Sequence, residues 1–422
     1  MVSVPASPLN RILPRRASQL VSESLADTRV VLVQGARQCG KSTLAAQIAR
    51  TTAASWFSLD RTETRHAAEA DPTAFVRQAA PMVIDEIQRV PELLLSIKEL
   101  VDACGAPGAF LLTGSARLLG LRAVPDALPG RMETIELWPL SQGEIDGAPD
   151  GFVDAAYALG ADLRHQSALT PRDYAERIAR GGFPEAIARS GRRRTAFHVQ
   201  YVADLINRDV IQVANITQGH ELRALIGLLA GRSGGLLVPA NLAGNLSITR
   251  PTVERYIRLL EEVFLVKRIP AWSRNLGTRV TAIPKVAFVD SGIATSLLGE
   301  DADSLARPGS PLGGLLEGFV AMELARQLTW SQQMATLYHY RTRDQVEVDL
   351  VVANPRGQVV GIEVKAGMTV RTDDFRGLRH LADRLGDDFT AGFVLHLGDQ
   401  SLRFGPKLAA VPLSALWQCG SV

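Results

Sequence analysis

The chain has 422 residues and a mass of 45.5 kDa, more than one ordinary domain requires, so two or three domains are expected. Hydrophobic residues make up 46% of the sequence and charged residues 21%, a composition that excludes wholesale disorder. The 46 basic and 44 acidic residues leave a net charge of +2, so any surface that binds nucleic acid has to be local.

Cysteine usage and hydropathy predict a soluble, cytoplasmic protein with no membrane partner. Cys39, Cys104 and Cys419 are odd in number and far apart, which argues against a disulfide framework and favours a reducing compartment. Residues 1–16 lack the apolar core of a secretory signal. The most apolar stretches are far shorter than the ~20 residues that span a bilayer.

Lysine is rare in this chain, because only six of the 46 basic residues are lysine. Arginine cannot replace a compact ammonium group or a base that must lose its proton, so the positions that keep lysine are candidates for chemistry. They are Lys41, Lys98, Lys267, Lys285, Lys365 and Lys407. Two of them, Lys41 and Lys365, fall in chemical motifs.

The first third of the chain alternates short apolar strands with helical segments. The strands are predicted at residues 29–35, 55–60, 81–86, 109–115 and 134–140. Continuous apolar strands that alternate with helices indicate a parallel sheet covered on both faces. The sequence therefore predicts an α/β fold for this part of the chain.

Residues 35–43, GARQCGKST, fit the pattern G-x-x-x-x-G-K-[ST] between a strand and a helix. In this motif backbone N–H groups face the phosphates, the lysine reaches the β- and γ-phosphates and the hydroxyl binds Mg²⁺. The pattern predicts a site for ATP and Mg²⁺, in which Lys41 and Ser42 have these two roles. The residues predicted to bind nucleotide are Gly35, Ala36, Arg37, Gln38, Cys39, Gly40, Lys41, Ser42, Thr43 and, from a later strand, Asp85.

Residues 82–88, MVIDEIQ, form an apolar strand that ends in two acids. After an intact phosphate loop, this pattern predicts that Asp85 holds the Mg²⁺ shell and Glu86 polarises the attacking water. The second acid favours hydrolysis over passive binding. At the end of the next strand, Ser115 is the candidate that senses the γ-phosphate, and a simple turn is the alternative.

Cys39 has two possible roles in the phosphate loop. It lies among the loop amides at a helix N-terminus, beside Lys41 and Arg37, whose charges favour a thiolate that oxidants could attack and that ATP would protect. The alternative is a small residue that faces the sheet and has no chemical role.

Residues 170–218 are predicted to be helical, with a break at GGFPEA because Gly182 and Pro184 do not both fit within one helix. Residues 239–269 follow the pattern of a helix-turn-helix and a strand, as in a winged helix. The exposed face of the second helix is suited to phosphate contacts, and a helical pair that mediates subunit contacts is the alternative. The residues on this face are Arg250, Arg255 and Arg258.

The C-terminal part of the chain contains a helix with Glu317 near its start, then a hairpin whose two strands meet at an N-P-x-G turn. Asp349 lies near the end of the first strand, and Glu363 and Lys365 share one face of the second. A solvated charged strand would explain each piece alone. The whole D-x13-E-x-K arrangement resembles the core of the PD-(D/E)xK nucleases. The resemblance implies that the three acids bind Mg²⁺ and that the lysine orients or deprotonates the attacking water.

Taken together, the motifs resemble the AAA+ ATPases, and more closely a family of uncharacterised bacterial and archaeal ATPases with a C-terminal extension. The matching stretches are GARQCGKST, VIDEIQ, LLTGSAR, PGRMETIELWPLS, GGFPEA, EVD and IEVKAG. The resemblance implies a homo-oligomer, such as a ring, in which an arginine reaches the γ-phosphate across a subunit interface. Arg131 is the first candidate for this arginine and Arg117 the second, and a surface arginine that caps a loop is the alternative.

Four regions are predicted: an ATPase core, a helical lid, a winged-helix-like domain and a nuclease-like α/β domain. Their bounds are 1–150, 151–218, 219–300 and 301–422. The predicted function is Mg²⁺-dependent ATP hydrolysis coupled to a nucleic-acid-directed activity, either DNA binding or DNA cleavage. The alternative is an ATP-driven switch or assembly protein whose C-terminal domain only binds DNA or a protein partner.

Overall fold

A computed structural model describes residues 8–9, 11–115, 128–207, 219–275, 277 and 282–420. The chain forms two compact units. Unit 1 consists of Met1–Leu140, Phe183–Glu185 and Glu262–Phe264, and unit 2 consists of Ser141–Gly182, Ala186–Glu261 and Leu265–Val422. The four regions expected from the sequence are a finer division, which stays a prediction.

Unit 1 is built on a five-stranded parallel sheet in the order β2-β3-β4-β1-β5. Its strands are β1 Val30–Gln34, β2 Ser55–Ser58, β3 Met82–Asp85, β4 Phe110–Gly114 and β5 Met132–Glu136. Its helices are α1 Ala17–Asp27, α2 Lys41–Thr51, α3 Thr62–Ala70, α4 Pro72–Arg77 and α5 Leu93–Cys104. The predicted α/β fold with a parallel sheet is confirmed.

The central strands of this sheet are covered on both faces. Every residue of β1, β3 and β4 is buried. Val30 and Leu32 pack in one cluster with residues of α4 and α5, whereas Val31 and Val33, which alternate with them, are fully buried outside that cluster. Since successive side chains of a strand point to opposite faces, this burial explains why the strands are continuous apolar runs.

The first half of unit 2 is helical. Its helices are α6 Gln142–Asp146, α7 Phe152–Leu159, α8 Pro171–Arg180, α10 Gly191–Leu205, α11 Gly219–Ala230, α12 Pro239–Leu246 and α13 Arg250–Glu262, and the short α9 Pro184–Ile187 begins in the segment assigned to unit 1. α8 ends at Gly181, whose φ is +69°, and α9 begins at Pro184, so the predicted helix break is confirmed. The end of the predicted lid, 208–218, lies outside the described residues.

Two helices joined by a short turn lie in the middle of unit 2, where the sequence predicts a helix-turn-helix. α12 ends at Ser247, which has a left-handed backbone with a φ of +53°, and the Thr249 hydroxyl accepts a hydrogen bond from the Thr252 N–H at 3.3 Å. α13 buries one stripe of side chains, Val253, Tyr256, Ile257 and Leu260. A two-stranded antiparallel sheet follows, formed by β6 Val266–Ile269 and β7 Lys285–Phe288. The winged-helix assignment stays a prediction.

The C-terminal half of unit 2 holds a six-stranded sheet in the order β12-β13-β11-β10-β9-β8. The strands are β8 Thr336–Arg341, β9 Glu347–Ala353, β10 Val359–Lys365, β11 Phe389–His396, β12 Leu402–Gly405 and β13 Leu408–Pro412. The helices after β7 are α14 Ser291–Leu297, α15 Ala302–Leu305, α16 Leu312–Gln327, α17 Arg376–Leu385 and α18 Ala415–Gln418.

The predicted hairpin is present in this sheet. β9 and β10 pair antiparallel, and the Gly357 N–H donates to the Asn354 carbonyl at 3.0 Å in the turn between them. Gly357 has a φ of +83°, a conformation that favours glycine. Among the helices that the structure describes, none is long and apolar enough to cross a membrane.

Candidate nucleotide site and C-terminal acidic cluster

Two glycines allow the loop between β1 and α2 to close. A Cβ on Gly35 would lie 2.0 Å from the Leu137 carbonyl oxygen, so no larger residue fits without a shift of the backbone. Gly40 has a φ of +104°. Both requirements agree with the predicted phosphate loop, in which the backbone has to turn tightly before the helix. Within the loop, Ala36 is buried, Arg37 is partly buried and Gln38 is exposed.

The Lys41 ammonium group is held inside the loop. Lys41 is the first residue of α2 and only 3% exposed, and its Nζ donates to the carbonyls of Gly35 at 3.0 Å and Ala36 at 2.8 Å. These acceptors are neutral, so a phosphate oxygen is a stronger partner for the same ammonium. The positive charge of Lys41 is therefore held at the position where the motif predicts the phosphates.

Asp85, at the end of β3, collects hydrogen bonds from three neighbouring elements. Its Oδ1 accepts from the hydroxyls of Ser42 at 2.8 Å and Thr113 at 2.6 Å, and its Oδ2 accepts from Ser58 at 3.3 Å. Burial raises the pKa of Asp85, although the hydrogen bonds from Thr113 and Ser42 oppose this effect. Mg²⁺ in phosphate sites takes one or two protein oxygens together with water and phosphate oxygens. The adjacent Ser42 hydroxyl and Asp85 carboxylate fit that donor set.

Glu86 and Ser115 are connected through a residue that the sequence analysis did not single out. Glu86 has a φ of +61°, and its N–H donates to the Thr113 hydroxyl at 3.0 Å. The Gln88 side-chain amide donates both to the Glu86 carboxylate and, at 2.8 Å, to the Ser115 hydroxyl. The structure thus brings both predicted residues to the edge of the sheet that carries the phosphate loop. The available signal for Gln88 was its position two residues after Glu86.

Arg131 lies at the amino-terminal ends of the strands, opposite the end that carries the phosphate loop. It directly precedes β5, and its carbonyl accepts from the Val30 N–H at the start of β1. The phosphate loop follows the other end of β1, and at ~3.3 Å per residue the length of this strand separates the two by about 16 Å. Its side chain pairs with the Asp102 carboxylate and donates to the Pro129 carbonyl at 3.0 Å. Arg131 therefore does not reach the nucleotide loop of its own unit, and its role across a subunit interface stays a prediction. Arg117 lies outside the described residues.

The structure contradicts the thiolate hypothesis for Cys39. The side chain is fully buried, and its Sγ donates to the Leu137 carbonyl at 3.3 Å. Its own carbonyl accepts from the Arg15 guanidinium at 2.7 Å. A thiol that is shielded from solvent and held by a carbonyl is not poised for oxidation, because oxidants need an accessible thiolate. Cys39 is a small residue that packs beneath the loop.

A cavity of about 310 Å³ extends from the phosphate loop. Its polar side includes Ser42, Thr43 and Glu86. Its apolar wall comes mainly from the N-terminal segment, and the GGFPEA segment contributes at its rim. These wall residues are Leu9, Ile12, Leu13, Leu140 and Pro184, and the charged Glu185 also lines the cavity. The sequence motif predicts the phosphate loop but not this wall, whose local signal is limited to the apolar residues of LNRIL at positions 9–13.

In unit 2, the predicted acids converge with the predicted lysine. The Lys365 Nζ lies 3.5 Å from Glu363 Oε2, and the Asp349 Oδ2 accepts from the Val364 N–H at 2.9 Å. Burial and repulsion by Asp349 raise the pKa of Glu363 to about 9. Burial lowers the pKa of Lys365, but Glu363 and Asp349 more than offset it and leave the pKa raised. A lysine that keeps its proton fits an orienting role better than that of a base.

Two further residues complete this acidic cluster. The Lys285 Nζ lies 3.1 Å from Glu347 Oε1, 3.2 Å from Glu317 Oε2 and 3.3 Å from Asp349 Oδ1. Lys285 is 3% exposed. Neither Lys285 nor Glu347 was predicted, although Lys285 is one of the six rare lysines and Glu347 precedes Asp349 by two residues on the same strand. The ammonium lies between the acids that the nuclease resemblance assigns to Mg²⁺, so the residues present do not fit that metal.

Three family models match the chain. Residues 27–146 match the model of an AAA domain. This part of the chain has the parallel-sheet fold of a phosphate-loop NTPase. Residues 171–304 match a model described as a domain of unknown function (DUF8612), and residues 312–416 match another described as a domain of unknown function (DUF4143). The AAA match covers the sheet, the phosphate loop and the two acids at the end of β3.

Similar proteins cover most of the chain. An uncharacterized protein of Mycobacterium tuberculosis is 29% identical over 443 residues, which is 100% of this chain and 89% of the relative. One from Haemophilus influenzae is 24% identical over 306 residues, 71% of this chain and 69% of the relative.

Among solved structures, a Walker-type ATPase of Pyrococcus abyssi has a TM-score of 0.44 at 13% identity, covering 70% of this chain and 99% of that one. The RuvB Holliday junction branch migration motor of Thermotoga maritima has a TM-score of 0.31 at 21% identity, covering 64% of this chain and 94% of that one. Likenesses at this level carry no inference about function.

The apolar wall predicts a base-dependent affinity for nucleotide. Ile12 is 39% exposed beside the cavity, and its replacement by serine would remove an aliphatic contact of about 1 kcal/mol with a base seated against the wall. Ile12→Ser should therefore raise the Kd for ATP about fivefold. It should leave the Kd for inorganic triphosphate unchanged. Calorimetric titration with both ligands checks this.

The matched control is Leu95→Ser, because Leu95 is an exposed leucine of α5 that does not line the cavity. Equal weakening of ATP and triphosphate by Ile12→Ser would show that the wall does not contact the base.

Proposed function

We propose that the protein hydrolyses ATP with Mg²⁺ at the nucleotide site of unit 1. The observation that carries this proposal is the Asp85 carboxylate, which contacts the Ser42 hydroxyl of the phosphate loop and is followed directly by Glu86. Nucleotide binding alone needs only the Ser42 hydroxyl and the Asp85 carboxylate. The adjacent acid supplies what hydrolysis needs in addition, a group that can orient water and accept its proton.

Each residue then has a defined role. The loop amides and the Lys41 ammonium bind the phosphates, and Ser42 and Asp85 hold Mg²⁺, which neutralises charge on the phosphate oxygens. Glu86 positions the attacking water. Ser115 lies near the same edge and shares the Gln88 amide with Glu86, so it can respond to the γ-phosphate while Gln88 keeps Glu86 in place.

Replacement of Glu86 separates binding from turnover. Glu86→Gln should keep the affinity for ATP within about twofold, because Glu86 acts on the water and not on the ground-state nucleotide. Turnover should fall about 10²- to 10⁴-fold, the usual contribution of a general base. The measurements are phosphate release at saturating ATP and nucleotide binding by the same preparation. Wild-type turnover in this variant would remove Glu86 from the mechanism.

The ATPase cycle is proposed to act on a nucleic acid through α13. The helix buries one stripe and exposes Arg255 and Arg258, whereas the exposed Arg250 is paired with Glu254 at 2.9 Å. Arginines on one solvent-facing side of a helix suit contacts with phosphates. DNA binding is favoured over cleavage, because a lysine fills the acidic cluster. A homo-oligomer in which the same face contacts another subunit, as in an ATP-driven switch, is the alternative.

Salt dependence distinguishes these two functions. Each arginine that contacts a DNA phosphate adds about one unit to the slope of log K against log salt. The double variant Arg255→Ala/Arg258→Ala should therefore weaken duplex binding and reduce the slope by about two. The control, Arg192→Ala/Arg193→Ala, removes the same charge from exposed positions of α10. Equal slopes in all three proteins, with a change of subunit association in the α13 variant alone, would support the switch instead.

A further inference from the structure

The most unusual charge in unit 2 is the ammonium group of Lys285. It contacts three carboxylates from two elements: Glu317 of α16, and Glu347 and Asp349 of β9. All three distances lie between 3.1 and 3.3 Å, so the ammonium has one carboxylate for each of its three protons. The charge is buried but fully compensated.

Backbone hydrogen bonds on both sides hold the strand that carries Lys285. Lys285 is the first residue of β7, which pairs with β6 on one side. On its other side the Leu237 N–H donates to the Pro284 carbonyl at 2.8 Å and the Val286 N–H donates to the Gly235 carbonyl at 3.0 Å. A side chain that leaves a strand held on both sides and is 3% exposed cannot move to solvent without disturbing that strand.

The ammonium and a divalent cation compete for the same carboxylates. Mg²⁺ binds oxygens at 2.0–2.1 Å in a near-octahedral shell, so it would have to take the acids that Lys285 contacts and leave a buried ammonium unpaired. Among the residues that the structure describes, no three His, Cys, Asp or Glu side chains are arranged to hold a metal ion. The ammonium therefore takes up the carboxylate oxygens that a divalent cation would need.

We propose that Lys285 is a built-in counter-ion that takes the place of a divalent cation in the C-terminal acidic cluster. The domain then needs no metal for its fold and has no metal-dependent route to phosphodiester cleavage. The same acids form a divalent-cation site once the ammonium is removed, because Glu317 and Asp349 would then lose their ammonium partner. Glu347 would keep its ion pair with Arg341, and Glu363 would keep its ion pair with Lys365. This inference is independent of the ATPase site.

The first test uses the protein with its own lysine. Mn²⁺ binding, followed by the loss of the free-ion electron paramagnetic resonance signal, is compared in wild type and Asp349→Asn. The nucleotide site of unit 1 contributes equally to both proteins. The proposal expects the same number of bound Mn²⁺ ions in both. One ion bound by the wild type and lost in Asp349→Asn would overturn it, and this result does not depend on any Lys285 variant folding.

The second test removes the ammonium. Lys285→Met keeps the length of the side chain and removes the ammonium that Glu317, Glu347 and Asp349 share, so the Tm should fall by more than about 5 °C in a chelator. Millimolar Mn²⁺ should restore most of this loss, because an ion that binds only the folded state stabilises it. Lys365→Met is the matched control, since Lys365 is paired with one acid at 3.5 Å and is more exposed. It should show no Mn²⁺-dependent recovery.

The outcomes of the second test are distinct. Recovery by Mn²⁺ in Lys285→Met alone supports the counter-ion role. A Lys285→Met protein that folds with an unchanged Tm, or that gains nothing from Mn²⁺, would show that the ammonium does not occupy a cation site.

Discussion

The nucleotide site depends on one buried carboxylate, that of Asp85. Hydroxyls from α2, β2 and β4 donate to it, so a single side chain joins the phosphate-loop helix to two neighbouring strands of β3. A buried carboxylate is costly unless its oxygens are hydrogen-bonded, and this requirement holds the three elements in register. The position of Glu86 follows, because it is the next residue and its N–H donates to the same Thr113 hydroxyl that serves Asp85.

Two buried lysines with equal exposure have opposite consequences. Lys41 and Lys285 are each 3% exposed. Lys41 is held by two neutral carbonyls, whereas Lys285 is held by three carboxylates. A charge held by neutral groups still gains from an anionic ligand, but one that is already neutralised does not. The first arrangement leaves a site open to phosphates, and the second closes an acidic cluster to cations.

The sequence was sufficient where the signal is local. The parallel sheet follows from continuous apolar strands. The loop follows from two glycines: a larger residue at Gly35 would clash with the Leu137 carbonyl, and Gly40 has a left-handed backbone that favours glycine. The β9–β10 hairpin follows from two strands of alternating polar and apolar residues joined by an N-P-x-G turn. Each of these signals lies in the segments that form the feature, so no tertiary contact was needed to find it.

The remaining features depend on contacts that are remote in sequence. Lys285 precedes Glu317 by 32 residues and Asp349 by 64, so no spacing pattern could place it among them, and only the scarcity of lysine marked it. Ile12 of the apolar wall also lies far along the chain from the phosphate loop, although both line the same cavity. For Cys39 the charge pattern was misleading, because it ignored the direction of the side chain, which points to the Leu137 carbonyl.

The central claim is that Asp85 organises a site for ATP together with Mg²⁺. The most direct measurement is the affinity for ATP with excess Mg²⁺ and with a chelator, in wild type and in Asp85→Asn, which keeps the shape of the side chain and removes its charge. The account predicts that Mg²⁺ strengthens binding to the wild type at least about tenfold, and that Asp85→Asn loses this dependence while it still binds metal-free ATP. The same Mg²⁺ dependence in both proteins would contradict it.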